Sequence, residues 1–450
     1  MTRGDALVRE LNRNVRGKNA RFRYEGAAPF GDTLHVDRYA LGNGLRVLVM
    51  EDASAPVVSY QTWFRVGSRH EKPGKTGLAH LFEHLMFNET EHLPAGEFDR
   101  LLEAAGGETN AATWTDWTFY YENLPKDALE LAVRLEADRM AHLVLRDAQV
   151  SSEKEVVANE RRYRVDDDVE GATNEQLYKV AFSKHPYHWP TIGWMRDIEG
   201  FTIEDCRAFY KTYYAPNNAT IVVVGDVQAK DALGLVQEHY GGYRAARLPE
   251  ERPVSEPAQR RERRKTLRLP TATEKLQLGY HGPALADDDW VTLTLANDIL
   301  FGGRSSRVYR RLVEDTEIAS ECRGSIAPFQ HPGLYEMWVA MRPGHGAQEA
   351  MALLDEEIDR IREEPVSEHD LDKAKNRYEL GFLHGMETAN GKGEQIGFYE
   401  TVLGDPGRIF ESLDAYRRVT TEDVQRVARK YLVRKRRTVI TVLPTGEKTS

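Results

Sequence analysis

Residues 77–87, Gly-Leu-Ala-His-Leu-Phe-Glu-His-Leu-Met-Phe, form a helix-like apolar run that carries two histidines and a glutamate. No other stretch constrains the chain as strongly. On a helix, positions i and i+4 lie one above the other, so His80 and His84 share a face. Glu83 comes three residues after the first histidine and one before the second, which brings its carboxylate to the same face. Two neutral imidazoles with a carboxylate beside them suit a zinc ion that activates water.

A five-residue pattern recurs by chance in unrelated chains, so the context decides. A catalytic zinc site needs a third protein ligand and keeps a fourth position open. The segment Ser151-Ser152-Glu153-Lys154-Glu155-Val156-Val157-Ala158-Asn159-Glu160-Arg161-Arg162 offers one. Its serine-rich start followed by acidic residues predicts a helix N-terminus. Glu153 and Glu160 are two helical turns apart and share a face. Taken alone, this is an ordinary charged helix.

The combination resembles the pitrilysin family of zinc peptidases, which includes insulysin and the mitochondrial processing peptidases. His80-Leu81-Phe82-Glu83-His84 is that family's inverted metal motif, and Glu160 follows in the matching place. Gly106-Gly107-Glu108-Thr109-Asn110-Ala111-Ala112-Thr113, with Asp116 and Tyr120, is similar to the family strand beside the active site. His185-Pro186-Tyr187 with Ile192-Gly193, and Phe209 through Val227, match further family segments. The resemblance covers about residues 35–445. It implies that His80, His84 and Glu160 hold one Zn2+ per chain. It also implies that Glu83 is the general base of a peptide-bond hydrolase and that Glu153 is an acidic partner supporting the site from behind the ligands. Asn110, Ala111 and Thr113 become the expected substrate-binding residues: an edge strand there would pair with an extended peptide through its backbone. Trp114, Trp117 and Phe119 line side-chain pockets on that reading, or simply pack in the sheet.

Strand-like runs at 45–50 and 57–66 alternate irregularly with helices near 96–105 and 126–143. Mixed order of this kind predicts an α+β sandwich with antiparallel pairing, and the likeness of the two halves extends it to an α+β fold of two homologous α/β sandwich domains, each a mostly antiparallel sheet with helices packed on it. Pro249, Pro253 and Pro257 among charges mark an extended linker. The expected division is a polar arm at 1–34 outside the core, a zinc-binding catalytic domain at 35–246, a linker at 247–264 and a homologous domain without metal at 265–450. In an internal overlay, Thr294, Asn297 and Asp298 stand where the first half has His80, Glu83 and His84, and Asn376 stands opposite Glu160. Only the first half can then hold the metal, and the second serves as wall, lid or partner surface.

A net charge of −10 argues against nucleic-acid binding. Arg260–Arg264 and Arg434–Arg437 read as solvated linker and strand entry. Two cysteines without metal spacing favour a reducing compartment. With no apolar N-terminal core of signal length and no membrane-spanning run, the expected location is the cytoplasm, or the periplasm if a signal peptide was removed.

One departure from the family pattern matters. Full-length active members carry an Arg and a Tyr seven residues apart after a Gly-x-Ser-Ser-Arg-Leu segment. Here that segment reads Gly303-Arg304-Ser305-Ser306-Arg307-Val308, and the Arg and Tyr positions fall on Val313 and Ser320. Arg310, Arg311 and Arg323 are out of register. The resemblance therefore implies a heterodimer, in which a homologous subunit without zinc supplies the Arg–Tyr pair. The rival readings are a self-sufficient homodimeric peptidase and a non-catalytic structural homologue.

Overall fold

A computed structural model describes residues 2–445; Met1 and residues 446–450, the extreme ends of the expected arm and second domain, lie outside the described residues. Contacts divide the chain into two units. The first takes the chain through Ala158, Thr191–Arg252 and Leu383–Glu411; the second takes Asn159–Pro190, Pro253–Phe382 and the chain from Ser412.

The first unit is built on seven strands: β1 (Phe22–Phe30), β2 (Leu34–Leu41), β3 (Arg46–Glu51), β4 (Val57–Phe64), β5 (Glu108–Thr113), β6 (Thr118–Pro125) and β7 (Ala219–Gly225). They lie in the order β1-β2-β3-β7-β4-β6-β5. All pairs are antiparallel except β3 with β7. β7, Ala-Thr-Ile-Val-Val-Val-Gly, is buried throughout, as a central strand covered on both faces must be. β4 shows how the faces are covered. Tyr60 and Thr62 turn to one side, where they bond Tyr240 (2.9 Å) and Glu136 (2.8 Å) on the helices Ala229–Tyr240 and Leu129–His142. Gln61 and Trp63, alternating with them, meet the helix Ala389–Leu403. Gly393 and Gly397 make that approach close: a Cβ on Gly397 would stand 2.1 Å from the Trp63 indole nitrogen.

The second unit repeats the plan with β8 (Arg263–Leu269), β9 (Lys275–His281), β10 (Ala319–Ile326), β11 (Leu334–Met341) and β12 (Arg437–Pro444), ordered β10-β11-β9-β12-β8. Only β8 and β12 are parallel. Leu276, Leu278 and Tyr280 of β9 enter a core with the helices Asp288–Phe301, Ala347–Glu363 and Thr421–Tyr431. On the other face the helix Val169–Ala181 lies across the sheet, with Leu177 against Gly279.

The α+β architecture of two related sandwiches is therefore present. The compact units depart from a linear division at the linker. The helix Val169–Ala181 covers the second sheet, and Ala389–Leu403 covers the first. Periodicity reveals that a helix has an apolar face but not which sheet that face will meet. The expected N-terminal arm is also corrected. Its residues 22–30 are the edge strand β1, paired with β2, and Phe22, Phe30 and Val8 are buried. Arg437 corrects the reading of the second basic cluster as solvated. It is buried, and its guanidinium bonds Glu262 (2.5 Å) and Asp355 (3.2 Å). Among the described residues no helix is long and apolar enough to cross a membrane.

Candidate metal centre

The apolar run folds as the helix Leu78–Leu85. Leu81, Phe82 and Leu85 are wholly buried, and Phe82 stacks on Phe209 with ring centroids 5.2 Å apart. The helix start is held from several sides. Gly77 has φ +98°, and a Cβ there would meet the Ile192 carbonyl oxygen at 2.5 Å. Gly193, at φ +85°, would place a Cβ 2.2 Å from the Thr76 carbonyl oxygen. Only glycine fits both places. The N–H groups of Gly77 and Ala79 donate to the Glu71 carboxylate at 2.8 and 2.7 Å, which satisfies donors that a helix start leaves open. Thr76 donates its N–H (3.2 Å) and hydroxyl (2.8 Å) to Asp197 and accepts from the Trp194 N–H (3.0 Å). Burial pushes the Glu71 carboxyl well above the usual range, and the two N–H donors oppose it.

His80, His84 and Glu160 each present a ligand atom, and these atoms lie within 4.8 Å of one another. The two imidazole centroids are 4.9 Å apart. Zinc bonds of about 2 Å set ligand atoms roughly 3–4 Å apart around one ion, so small side-chain rotations close the trio. Two imidazoles and one carboxylate form a donor set typical of catalytic zinc, and these residues fit that ion. Glu160 rides on the helix Asp147–Arg161. Arg164 pairs with Glu160 Oε1 at 3.0 Å.

Glu153, two turns earlier on the same helix, stands beside His84 and outside the trio. Its Oε2 is 3.7 Å from His84 Nδ1, and its Oε1 accepts from the Asn88 side chain at 3.1 Å. Glu83 is half-buried on the metal helix and also stands outside the trio. Its charge reaches the Tyr120–Tyr214 hydroxyl pair, whose phenols are raised chiefly by burial, with Glu83 adding to the shift.

Asn110, Ala111 and Thr113 lie on β5, which ends the first sheet's order and packs against the metal helix. Asn110 is exposed, with Oδ1 accepting from the Ala111 N–H at 2.8 Å; Ala111 and Thr113 are half-buried. Phe119 stacks on Trp63 (4.2 Å) and Trp117 stands edge-on to Phe119 (5.5 Å), so both pack within the sheet. Trp114 is exposed.

In the second unit Arg377 Nε donates to Asp298 at 3.0 Å. This ion pair joins the two helices laid on the metal helix and the Glu160 helix in the sequence overlay. Val313 is buried, and Ser320 donates its hydroxyl to the Ala340 carbonyl at 3.3 Å. Sequence reading missed Glu71 and Asp197, whose bonds to the helix start are made by folding and carry no local pattern.

Two models of one peptidase family match the chain in succession: "Insulinase (Peptidase family M16)" over residues 46–193 and "Peptidase M16 inactive domain" over 200–378. A Helicobacter pylori protein named zinc protease PqqE is 28% identical over 92% of this chain and 96% of its own length. The crystal structure of a protease from Helicobacter pylori superposes with TM-score 0.87 at 28% identity, over 91% of this chain and 99% of that one. An M16 inactive domain from Pseudomonas fluorescens shares the fold at TM-score 0.83 and 19% identity, over 91% and 98% of the two chains. With the inverted metal motif lying within the first match and both halves matched in turn, the chain belongs to the insulinase family of peptidases, family M16.

Proposed function

We propose that this chain is the zinc-bearing subunit of a heterodimeric endopeptidase acting on extended or unfolded peptides. The observation that carries this is the convergence of His80, His84 and Glu160 within 4.8 Å. One zinc ion held by these three would supply Lewis acidity that makes water a competent nucleophile near neutral pH. Glu83 would take the proton of the attacking water and return it to the leaving amine. Glu153 would hold His84 in orientation, as acidic neighbours of metal-bound histidines do. An extended substrate would add to the free side of β5 through backbone hydrogen bonds, along Asn110, Ala111 and Thr113.

The oxyanion of the transition state needs donors besides the metal. Val313 and Ser320 hold the positions of the family's Arg and Tyr, and a buried valine and a backbone-bound serine cannot serve. A homologous subunit without zinc would supply the pair. Removal of one such donor costs about a hundredfold or more in rate, so the isolated chain should be nearly inactive. Cys206 and Cys322 are free and buried, which supports the reducing cytoplasm as the compartment.

The test is hydrolysis of a quenched peptide library by the zinc-loaded chain, with Glu83→Gln as the blank. Cleavage above the blank by the chain alone would mean that the site is complete, and the heterodimer reading would fall. The expected result is no cleavage by the chain alone and cleavage when an M16 homologue bearing the Arg–Tyr pair is added.

A further inference from the structure

We propose a second divalent-cation site, of the zinc class, formed by His92, Asp138 and His142 and sharing no ligand with the centre described above. These residues bring their ligand atoms within 4.8 Å of one another. Asp138 and His142 are four apart on the helix Leu129–His142 and share its face. His92 comes from the segment that follows the metal helix. The two imidazole centroids are 4.8 Å apart with the rings nearly perpendicular.

The segment carrying His92 is built onto the end of that helix. Thr90 forms an isolated β-bridge with Leu143, and the Glu91 N–H donates to the His142 carbonyl at 2.9 Å. The Thr90 hydroxyl donates to Asp138 Oδ2 and accepts from the N–H groups of His92 (3.2 Å) and Leu93 (3.0 Å). One threonine thus fixes both a ligand carboxylate and the backbone of a ligand histidine. Asp138 Oδ1 and His92 Nδ1 form a 2.5 Å hydrogen bond, which an ion bound by both of these atoms would replace. Glu91 Oε2 engages His142 Nδ1 at 3.2 Å, which leaves the other ring nitrogen of His142 for an ion. A carboxylate on the far side of a ligating histidine is the usual support of a metal-bound imidazole.

Two imidazoles and one carboxylate select zinc, nickel or copper over magnesium or calcium, which prefer all-oxygen shells. His92 is exposed and Asp138 and His142 are half-buried, so an ion has an open path and keeps water at its remaining positions. Such an ion is exchangeable and held more weakly than one at His80, His84 and Glu160. It would tie the segment after the metal helix to the helix Leu129–His142. That segment also carries Asn88, whose side chain holds Glu153.

The experiment is a zinc titration of the chelator-stripped full chain by isothermal calorimetry and equilibrium dialysis. The wild type should bind two ions, and His92→Ala or His142→Ala should bind one. The His80→Ala/His84→Ala chain should keep one weaker ion, and adding His92→Ala to it should leave none. His92 is exposed, so its removal spares the core; Asp138→Asn is the second, nearly isosteric variant and should weaken the second ion at least tenfold. Circular dichroism checks that each variant is folded. The proposal is overturned if the His80→Ala/His84→Ala chain binds no zinc, if His92→Ala leaves its binding unchanged, or if magnesium fills the site as well as zinc does.

Discussion

Replacing Glu153 by glutamine removes one negative charge but keeps the side chain's length and its capacity to accept from Asn88. Glu153 Oε2 stands 3.7 Å from His84 Nδ1, and the two side chains are 21% and 24% exposed. Two unit charges at that distance, at an effective permittivity of about 20, attract by about 4–5 kcal/mol. A histidine that ligates a cation carries only part of a charge, and water reaches both groups. About one third of the full value, roughly 1.5 kcal/mol, is the expected loss, or about tenfold in zinc affinity. That is the lower end of the 10–100-fold range typical when an acidic partner behind a metal ligand is removed. Glu153→Ala also gives up the Asn88 bond and should move toward about a hundredfold. Zinc affinity is read by competition with a chromophoric chelator near neutral pH, with circular dichroism as the folding control. Unchanged affinity in both variants would refute the positioning role. A loss as large as that of Glu160→Gln would refute it in the other direction, by making Glu153 a ligand.

Gly193→Ala should destabilise the first unit by about 2–5 kcal/mol, combining left-handed backbone strain with overlap against the Thr76 carbonyl oxygen; an unchanged urea midpoint would contradict this. Arg139 lies buried between Glu122 (3.1 Å) and Glu136, so Arg139→Met should cost about 3–5 kcal/mol by leaving a buried carboxylate without its cation, and a loss below about 1 kcal/mol in denaturant melts would show the network to be dispensable. Burial first, then the Glu136 charge, holds the Glu122 carboxyl well above the usual range, with Arg139 opposing. A raised folded pKa means that its contribution is complete below the unfolded value and is lost as pH rises through the folded one. The wild type should therefore lose stability relative to Glu122→Gln as pH rises above the ordinary carboxylate range, and a pH-independent difference would disprove the shift.

Much of the candidate metal centre was legible because it is local. His80, Glu83 and His84 lie within five residues, and helical geometry alone decides which of them share a face. Glu153 and Glu160 follow the same logic on a second helix. The two-sandwich architecture was legible from the order of apolar runs. β1 was not, because an edge strand needs few apolar residues: Phe22 and Phe30 are buried at its ends while polar residues between them face water. The exchange of Val169–Ala181 and Ala389–Leu403 between sheets was hidden as well, since an amphipathic pattern reports a buried face without naming what covers it.

The sequence by itself determined that His80 shares a helix face with His84 and Glu153 with Glu160, because periods of four and seven on a helix align side chains whatever the rest of the chain does. Only the tertiary structure decided that Glu160 meets the two histidines. It alone joined Glu71, Asp197 and Gly193 at the start of the metal helix, and brought His92 to Asp138 and His142. Those juxtapositions join residues distant along the chain or on separate elements, and they come from packing and chain crossing, which leave no periodic mark in the sequence.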